Sequence, residues 1–391
     1  MKKMRVGVVG CGVISDIYLS NAAKFAGYDV IALSDLNNDR AVAQAEKYGI
    51  EKVYSYDDML SDPEVEIIMN LTVHAAHTPL CMKALEAGKH IYNEKPLGAT
   101  FEEAKQIIAL AKEKGLYVGS APDTILGGRT QMIRKCIDDG KIGFPVGGVA
   151  YMTCHGHECW HANPFFVYGP KGTGAGPIFD MGPYYLTTLV YLLGPVKRVC
   201  GMVSTPFKER FITNPDLYGQ KIKVDVPTHI NGLIEFENSA IVNAIITYDV
   251  WDSHLPRVEI FGSEGTISMC ERDPLCGPDD FEGEIEYRYM DDSDWLGFPS
   301  TLPRHDATEW DRIKTVFGYN QNTRGVGLAE MVYSIQTGKK NIANGDMATH
   351  VIEIGHGIHE SCATGQYYDM TTTVERPGTL PLDHVEFSDV F

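Results

Sequence analysis

Positive charge is in short supply in this chain of 391 residues. It has 34 Lys and Arg against 52 Asp and Glu, a formal net charge of −18. A surface this acidic has little with which to neutralise a phosphate backbone or an anionic bilayer, so neither nucleic acid nor membrane is an expected partner. Long apolar runs are missing as well: none approaches the ~20 residues that cross a bilayer. The nine cysteines are scattered without a CxxC pair of the metal-binding kind, and their odd number fits no full disulfide framework. They are expected to be reduced, mostly buried thiols of a cytoplasmic protein. Met1-Lys2-Lys3-Met4 runs straight into a strand-like segment, with no leader pattern. Repeats, low-complexity tracts and flexible linkers are absent too. With 44% hydrophobic residues there is ample core material, and the length exceeds what one core usually holds, so two domains are expected.

What is present starts at Arg5-Val6-Gly7-Val8-Val9-Gly10-Cys11-Gly12-Val13-Ile14-Ser15. An apolar strand enters a glycine turn and then a helix, the arrangement that brings a pyrophosphate against a helix N-terminus. The third glycine of the pattern is replaced by Ser15, so the motif alone is a weak signal. Asp35, about twenty residues on, is where an acid holds the adenosine ribose. A carboxylate there repels a 2′-phosphate and favours NAD over NADP, although Arg40 stands close enough to help a phosphate. The bland alternative is that Asp35 only opens a turn. Asn93-Glu94-Lys95-Pro96-Leu97 follows at a strand end, where the fold delivers its reacting atom.

Between residues 5 and 120, strands at Arg5–Val9, Val30–Ser34, Ile67–Leu71, His90–Asn93 and Tyr117–Ser120 alternate with helices, notably Thr78–Ala87 and Phe101–Lys114. Gly88 and Gly115 stand where left-handed helix caps belong. This predicts an α/β fold: an N-terminal Rossmann domain over 1–122 with a parallel doubly wound sheet. After one helix around Thr130–Asp138, strands at Val146–Thr153, Val196–Val203, His229–Phe236, Ala240–Tyr248 and Arg257–Phe261 predict a C-terminal α/β domain over 123–391. Its large open sheet should be mainly antiparallel. Helices follow at Val326–Thr337 and Met347–Thr364, and the acidic stretch 274–304 has no assignment.

The expected cofactor contacts are Gly10, Gly12, Val13, Ile14, Asp35, Thr72, His77, Glu94 and Lys95. Thr72 ends the strand that begins at Ile67, and His77 faces either the cofactor or a packing carbonyl. Residues 154–168, Cys-His-Gly-His-Glu-Cys-Trp-His-Ala-Asn-Pro-Phe-Phe-Val-Tyr, are the densest polar and aromatic cluster. Cys154, His155, His157, Cys159 and His161 match no standard zinc spacing, so no metal is expected. The cluster reads as a substrate wall. Trp160 and Tyr168 stack on a sugar ring, while His155, His161 and Asn163 bond its hydroxyls. Asp123 and Thr124 are further substrate contacts or a turn cap. Arg324 is read as the start of a helix, with substrate contact the lesser alternative.

Gly10-Cys11-Gly12, Ala84-Leu85-Glu86-Ala87-Gly88-Lys89-His90, Glu94-Lys95-Pro96 and Gly176-Pro177-Ile178-Phe179-Asp180-Met181-Gly182 resemble the glucose–fructose oxidoreductase / inositol 2-dehydrogenase / rhizopine catabolism protein family over nearly the whole chain. The resemblance implies NAD(P)-dependent chemistry at a sugar or cyclitol hydroxyl and an open sheet that often forms the subunit contact, hence a homo-oligomer, dimer or tetramer. It implies that Lys95 touches nicotinamide and substrate and that Asp180 positions the substrate. The histidine of the family's Asp-x-Gly-x-His motif falls on Tyr184, a departure. A phenol, with a pKa near ~10, needs a neighbouring cation to act as a base, and Lys95 can supply one. Lys95, Tyr184 and Asp180 are therefore the expected catalytic set, against the simpler view that Tyr184 packs in the core.

The resulting expectation is an NAD-dependent dehydrogenase acting on a ring hydroxyl of a hexose or glycoside, with C3 suggested by likeness to one sugar-processing branch. Keto-sugar reduction, an NAD-assisted glycosidase and a non-catalytic NAD-binding sensor stay open as alternatives.

Overall fold

The computed structural model describes residues 2–161, 163–169, 175–269, 277–289, 310–382, 384 and 386–387. Its first sheet contains β1 (Met4–Val9), β2 (Tyr28–Ser34), β3 (Lys52–Val53), β4 (Ile67–Asn70), β5 (His90–Asn93) and β6 (Val118–Ser120). They lie in the order β3-β2-β1-β4-β5-β6, and every neighbouring pair is parallel. Helices cover these strands, so they read as near-continuous apolar runs; Val6, Val8, Ile67, Ile68, Met69 and Ile91 are buried. The strand order reverses between β1 and β4, which opens a crevice at their carboxyl ends. Local signals set the helix ends. Thr100 and Glu103 form a reciprocal capping box at the start of Phe101–Lys114, and Gly115 ends that helix at φ 66°.

The second sheet has nine strands in the order β16-β15-β14-β13-β7-β12-β11-β8-β17. Its inner strands are β7 (Pro145–Thr153), β8 (Val196–Ser204), β11 (His229–Phe236), β12 (Ile241–Thr247), β13 (Val258–Gly262) and β14 (Gly265–Met269). Towards the edges lie β15 (Ile285–Tyr289), β16 (Asp311–Ile313) and β17 (Tyr368–Asp369), while β9 (Glu209–Phe211) and β10 (Lys221–Lys223) pair separately. Among the described residues β7 and β12 run parallel, and the other pairs of the large sheet are antiparallel. Alternation gives the sheet two faces. Ile230, Ile234, Phe236, Val242, Ala244 and Ile246 are buried beneath the helices Gly182–Leu193 and Gly345–Thr364. Gly201 and Gly232 pair in register, and a Cβ on either would come within 3 Å of Ile358. That pair of glycines lets the long helix lie close. The opposite face shows Met202, Leu233 and Ile241 to solvent.

The two sheets are tied together. Gly119 of β6 bridges to Asn344, and Ser120 N donates to Ala343 O at 3.0 Å. The helix that follows, Gly345–Thr364, packs against Phe101–Lys114 as well as against β8. The chain's late residues thus return to cover the first sheet.

Several expected boundaries shift. The helices expected from Thr78, Thr130 and Met347 begin at His74, Gly128 and Gly345. Apolar periodicity marks where a helix gains a buried face, whereas the first residue here is glycine or histidine. β3, β9 and β10 were not expected, since two or three residues are too few to display alternation. Of the unassigned stretch 274–304, residues 277–289 are described and contain β15; the remainder lies outside the described residues. The described cysteines are free thiols, with Cys11, Cys81 and Cys136 buried but Cys159 exposed. No helix among the described residues is long and apolar enough to cross a membrane.

Candidate active site

Gly10 leaves β1 at φ 95°, a conformation that costs glycine least. A Cβ there would lie 2.7–2.8 Å from the backbone of Leu71 and Thr72, so the turn can rest on the end of β4 only as glycine. Gly12 differs: a Cβ on it would meet nothing within 4 Å, leaving backbone open to a ligand. The helix Ser15–Ala22 begins without a side-chain cap, its first N–H groups turned back onto the glycine turn, Ser15 N to Gly12 O at 3.1 Å and Asp16 N to Val13 O at 3.4 Å. Asp35 stands beside this turn, accepting from Cys11 N at 2.7 Å and Asn37 N at 2.7 Å. Val13, Leu36 and Val73 are exposed apolar side chains around the same crevice. Open backbone for a pyrophosphate, an acid for a ribose and apolar walls for flat rings together fit a dinucleotide. Ile14 is partly buried at the helix start.

Three expected cofactor residues make contacts within the protein. His77 is buried, with Nδ1 2.6 Å from Pro96 O and Nε2 3.0 Å from Thr72 O. It fastens the Lys95-Pro96 loop to the end of β4, so the packing-carbonyl alternative is the one observed. Burial lowers its pKa. Thr72 is in the expected place, but its hydroxyl turns back to Asn70 Oδ1 at 2.7 Å. Glu94, also buried, accepts from Tyr18 OH at 2.7 Å and from Lys95 N at 2.9 Å. It thereby joins the helix after the glycine turn to the backbone of the lysine.

Lys95 is the centre of the arrangement. Its Nζ donates to Asp180 Oδ1 and to Asp180 O, each at 2.7 Å. Asp180 Oδ2 accepts from Tyr248 OH at 2.5 Å and lies 2.7 Å from His157 Nε2. Burial disfavours both charges, but the pairing prevails. Lys95 is held above the ordinary lysine value and Asp180 well below the carboxylate range. Tyr184 is buried beside them. Lys95 Nζ stands over its ring, 5.3 Å from the centroid, while the phenol oxygen is 3.5 Å from Arg324 Nη2. The cation at the phenol oxygen is therefore Arg324. That residue does precede the helix Val326–Thr337, yet its guanidinium reaches the site.

The cluster at 154–168 folds against this centre, with its members sorted differently from expectation. Tyr168 is fully buried and donates to Glu158 Oε2 at 2.5 Å; it has no ring face for a sugar. Its partner ten residues earlier could not be read from composition. Trp160 is exposed and lies 4.8 Å from the His157 ring. His161 and Phe166 rings are 4.9 Å apart, and Asn163 is exposed, its N–H bound to His161 Nδ1 at 2.9 Å. His155 stacks on Trp251 with centroids 3.4 Å apart. Residues 170–174 lie outside the described residues. Beneath the loop, buried Arg210 binds Glu158, Asp249, His155 O and Tyr248 O. Asp123 is buried. Its Oδ2 accepts the N–H groups of Gly325 at 2.9 Å and Gly327 at 3.0 Å, so it caps the start of a distant helix, while the turn Thr124–Leu126 that follows it has no side-chain cap. Thr124 is buried next to it.

His157, Tyr248 and Trp251 join the site without having been expected as functional residues. His157 was set aside with the metal alternative. Tyr248 carried a signal, since alternation along β12 puts it with Val242, Ala244 and Ile246 on the buried face.

Residues 4–121 match the oxidoreductase family with an NAD-binding Rossmann fold, and residues 130–268 match the GFO/IDH/MocA C-terminal domain. The chain belongs to the GFO/IDH/MocA family. The chain is similar to 1,5-anhydro-D-fructose reductase of Ensifer adhaerens, 27% identical over 48% of this chain and 56% of that protein. The match thus spans little more than half of that relative. Levoglucosan dehydrogenase of Pseudarthrobacter phenanthrenivorans is 24% identical over 68% of this chain and 73% of its own length. Among solved structures of the fold, levoglucosan dehydrogenase in complex with NADH and L-sorbose superposes with a TM-score of 0.77 at 21% identity, covering 95% of this chain and 100% of that one. The aldose-aldose oxidoreductase of Caulobacter crescentus gives 0.75 at 19%, covering 94% and 100%. Residues 4–121 carry the NAD-binding Rossmann fold, which makes the crevice between β1 and β4 the candidate NAD site.

Proposed function

We propose that this protein is an NAD-dependent dehydrogenase that oxidises a ring hydroxyl, C3 being the position favoured, of a hexose or glycoside. The observation that carries the reading is the Lys95–Asp180 pair beside the dinucleotide crevice. When bound, NAD supplies the hydride acceptor. Lys95, kept charged by Asp180, donates to the substrate hydroxyl oxygen and stabilises negative charge as it develops there. Asp180 holds the lysine's direction through Oδ1. Trp160 and the His155–Trp251 stack offer apolar faces to a sugar, and His161 and Asn163 offer polar edges. Asp35 selects NAD over NADP by repelling a 2′-phosphate. In this reading residues 1–122 hold the dinucleotide, and residues 123–391 hold the sugar. The open face of the large sheet joins copies of the chain into a homo-oligomer, working in the cytoplasm.

The test is NADH absorbance after the protein and NAD are mixed with hexoses, cyclitols and aryl glycosides. Lys95→Ala should lower the rate about 10²–10³-fold while NAD still binds. NAD binding without turnover on any member of the panel would reject the dehydrogenase.

A further inference from the structure

Oxidation of a carbinol needs a proton acceptor, and the ammonium of Lys95 is not one. Its pairing with Asp180 keeps it protonated, so it can stabilise an alkoxide but cannot take the proton. His157 has the geometry that the step requires. It sits on the loop after β7, buried, with Nε2 2.7 Å from Asp180 Oδ2. An ionised carboxylate only accepts hydrogen bonds. Nε2 must therefore carry the hydrogen, and in the neutral ring Nδ1 keeps its lone pair. Nδ1 is buried and has no hydrogen-bond partner. A carboxylate that fixes the tautomer and an imidazole nitrogen left free are the two halves of an oriented general base.

Lys95 and His157 occupy the two oxygens of one carboxylate, Lys95 Nζ at Oδ1 and His157 Nε2 at Oδ2. The surroundings hold the ring in place. Its neighbours are Trp160 at 4.8 Å, Tyr248 at 4.9 Å, His161 at 5.9 Å and Phe166 at 6.3 Å between centroids. The adjacent Glu158 is bound by buried Arg210, and Tyr168 OH accepts from His157 N at 3.4 Å. The ionisable groups facing the ring are thus Asp180 with Lys95 behind it, Tyr248, His161, Tyr168 and the Glu158–Arg210 pair.

We propose that His157 Nδ1 accepts the proton of the sugar hydroxyl, an imidazole from the loop after β7 doing what the Asp-x-Gly-x-His spacing would have placed at Tyr184. This rests on the dehydrogenase reading. The O–H bond breaks and its proton joins Nδ1. Bound NAD, in its oxidised form, would supply the acceptor for the hydride that leaves with the C–H electron pair as the carbonyl forms. The imidazolium is balanced by Asp180 and later loses its proton to water.

The test is the pH dependence of kcat for the wild type, His157→Gln and Tyr184→Phe on a sugar that the wild type oxidises, with NAD binding followed by fluorescence. Glutamine keeps a donor for Asp180 but has no basic nitrogen. His157→Gln is expected to lose about 10²-fold or more in kcat and the acid limb of the profile, with KM for the sugar little changed and NAD still bound. Tyr184→Phe is expected to keep that limb. A His157→Gln enzyme with the wild-type rate, or a Tyr184→Phe enzyme that alone loses the limb, would overturn the assignment. Should His157→Gln fail to bind NAD, His157→Ala decides: a rate that returns with added imidazole supports the base, and none overturns it. A wild type that binds NAD but oxidises no sugar defeats the dehydrogenase reading itself and this step with it.

Discussion

Asp180 carries three side-chain donors on two oxygens: Lys95 on Oδ1, and Tyr248 and His157 on Oδ2. Such a group shapes stability as well as chemistry. Its pKa is lowered in the fold, so its contribution is present above the unfolded value of about 3.9 and is lost as pH falls below it. The pKa of Lys95 is raised, so its contribution is complete below the unfolded value of about 10.4 and is lost as pH rises through the folded one. The pair therefore stabilises between about pH 4 and pH 10. Lys95→Met leaves a buried carboxylate short of its cation and is expected to cost about 3 kcal/mol at pH 7. Denaturant melts from pH 3 to pH 7 should also show a shallower loss towards acid in the variant, because Asp180 no longer has its strongest reason to stay ionised. An unchanged acid slope would deny the pair this role.

At the scale of elements, the start of the helix Val326–Thr337 shows how a remote residue completes a local signal. Gly325 there offers no side chain, and Asp123, some two hundred residues earlier, accepts from Gly325 and Gly327 instead. Asp123→Ala is expected to destabilise by about 1–2 kcal/mol, read from the urea midpoint, while the KM for sugar stays near that of the wild type. A large rise in KM at unchanged stability would restore Asp123 to the substrate. The span of that helix was legible because its apolar face repeats at helical spacing. Its cap was not, because nothing local marks a partner so distant. The same holds for His77, whose two carbonyl partners come from the ends of two different strands. Tyr168 looked like a sugar platform because aromatics cluster at 154–168, yet its hydroxyl is claimed by Glu158, which Arg210 of β9 in turn holds.

At the scale of the whole molecule, the outer face of the nine-stranded sheet exposes apolar side chains among the described residues. Met202, Leu233 and Ile241 lie on it in the open, in a register that places Asn231 opposite Met202 and Glu235 opposite Ile241. An apolar strip with a polar surround is the anatomy of a contact between subunits. Light scattering is expected to give a multiple of the 43.3 kDa chain mass, and Leu233→Lys to move it towards the monomer. A wild-type monomer at micromolar concentration would refute the assembly.

Local pattern by itself determined the parallel sheet, the glycine turn with Asp35, the position of Lys95 at a strand end and the two-faced strands beyond. These depend on residues within a turn or a strand of each other, where periodicity and spacing carry the information. The tertiary structure alone decided which side chains meet. It sent Asp123 to a helix end and Tyr168 into the core. It brought Arg324 to the phenol of Tyr184 and seated His157 on Asp180. Those pairings depend on how far-apart segments pack, and a buried carboxylate binds whichever donors the packing delivers to it.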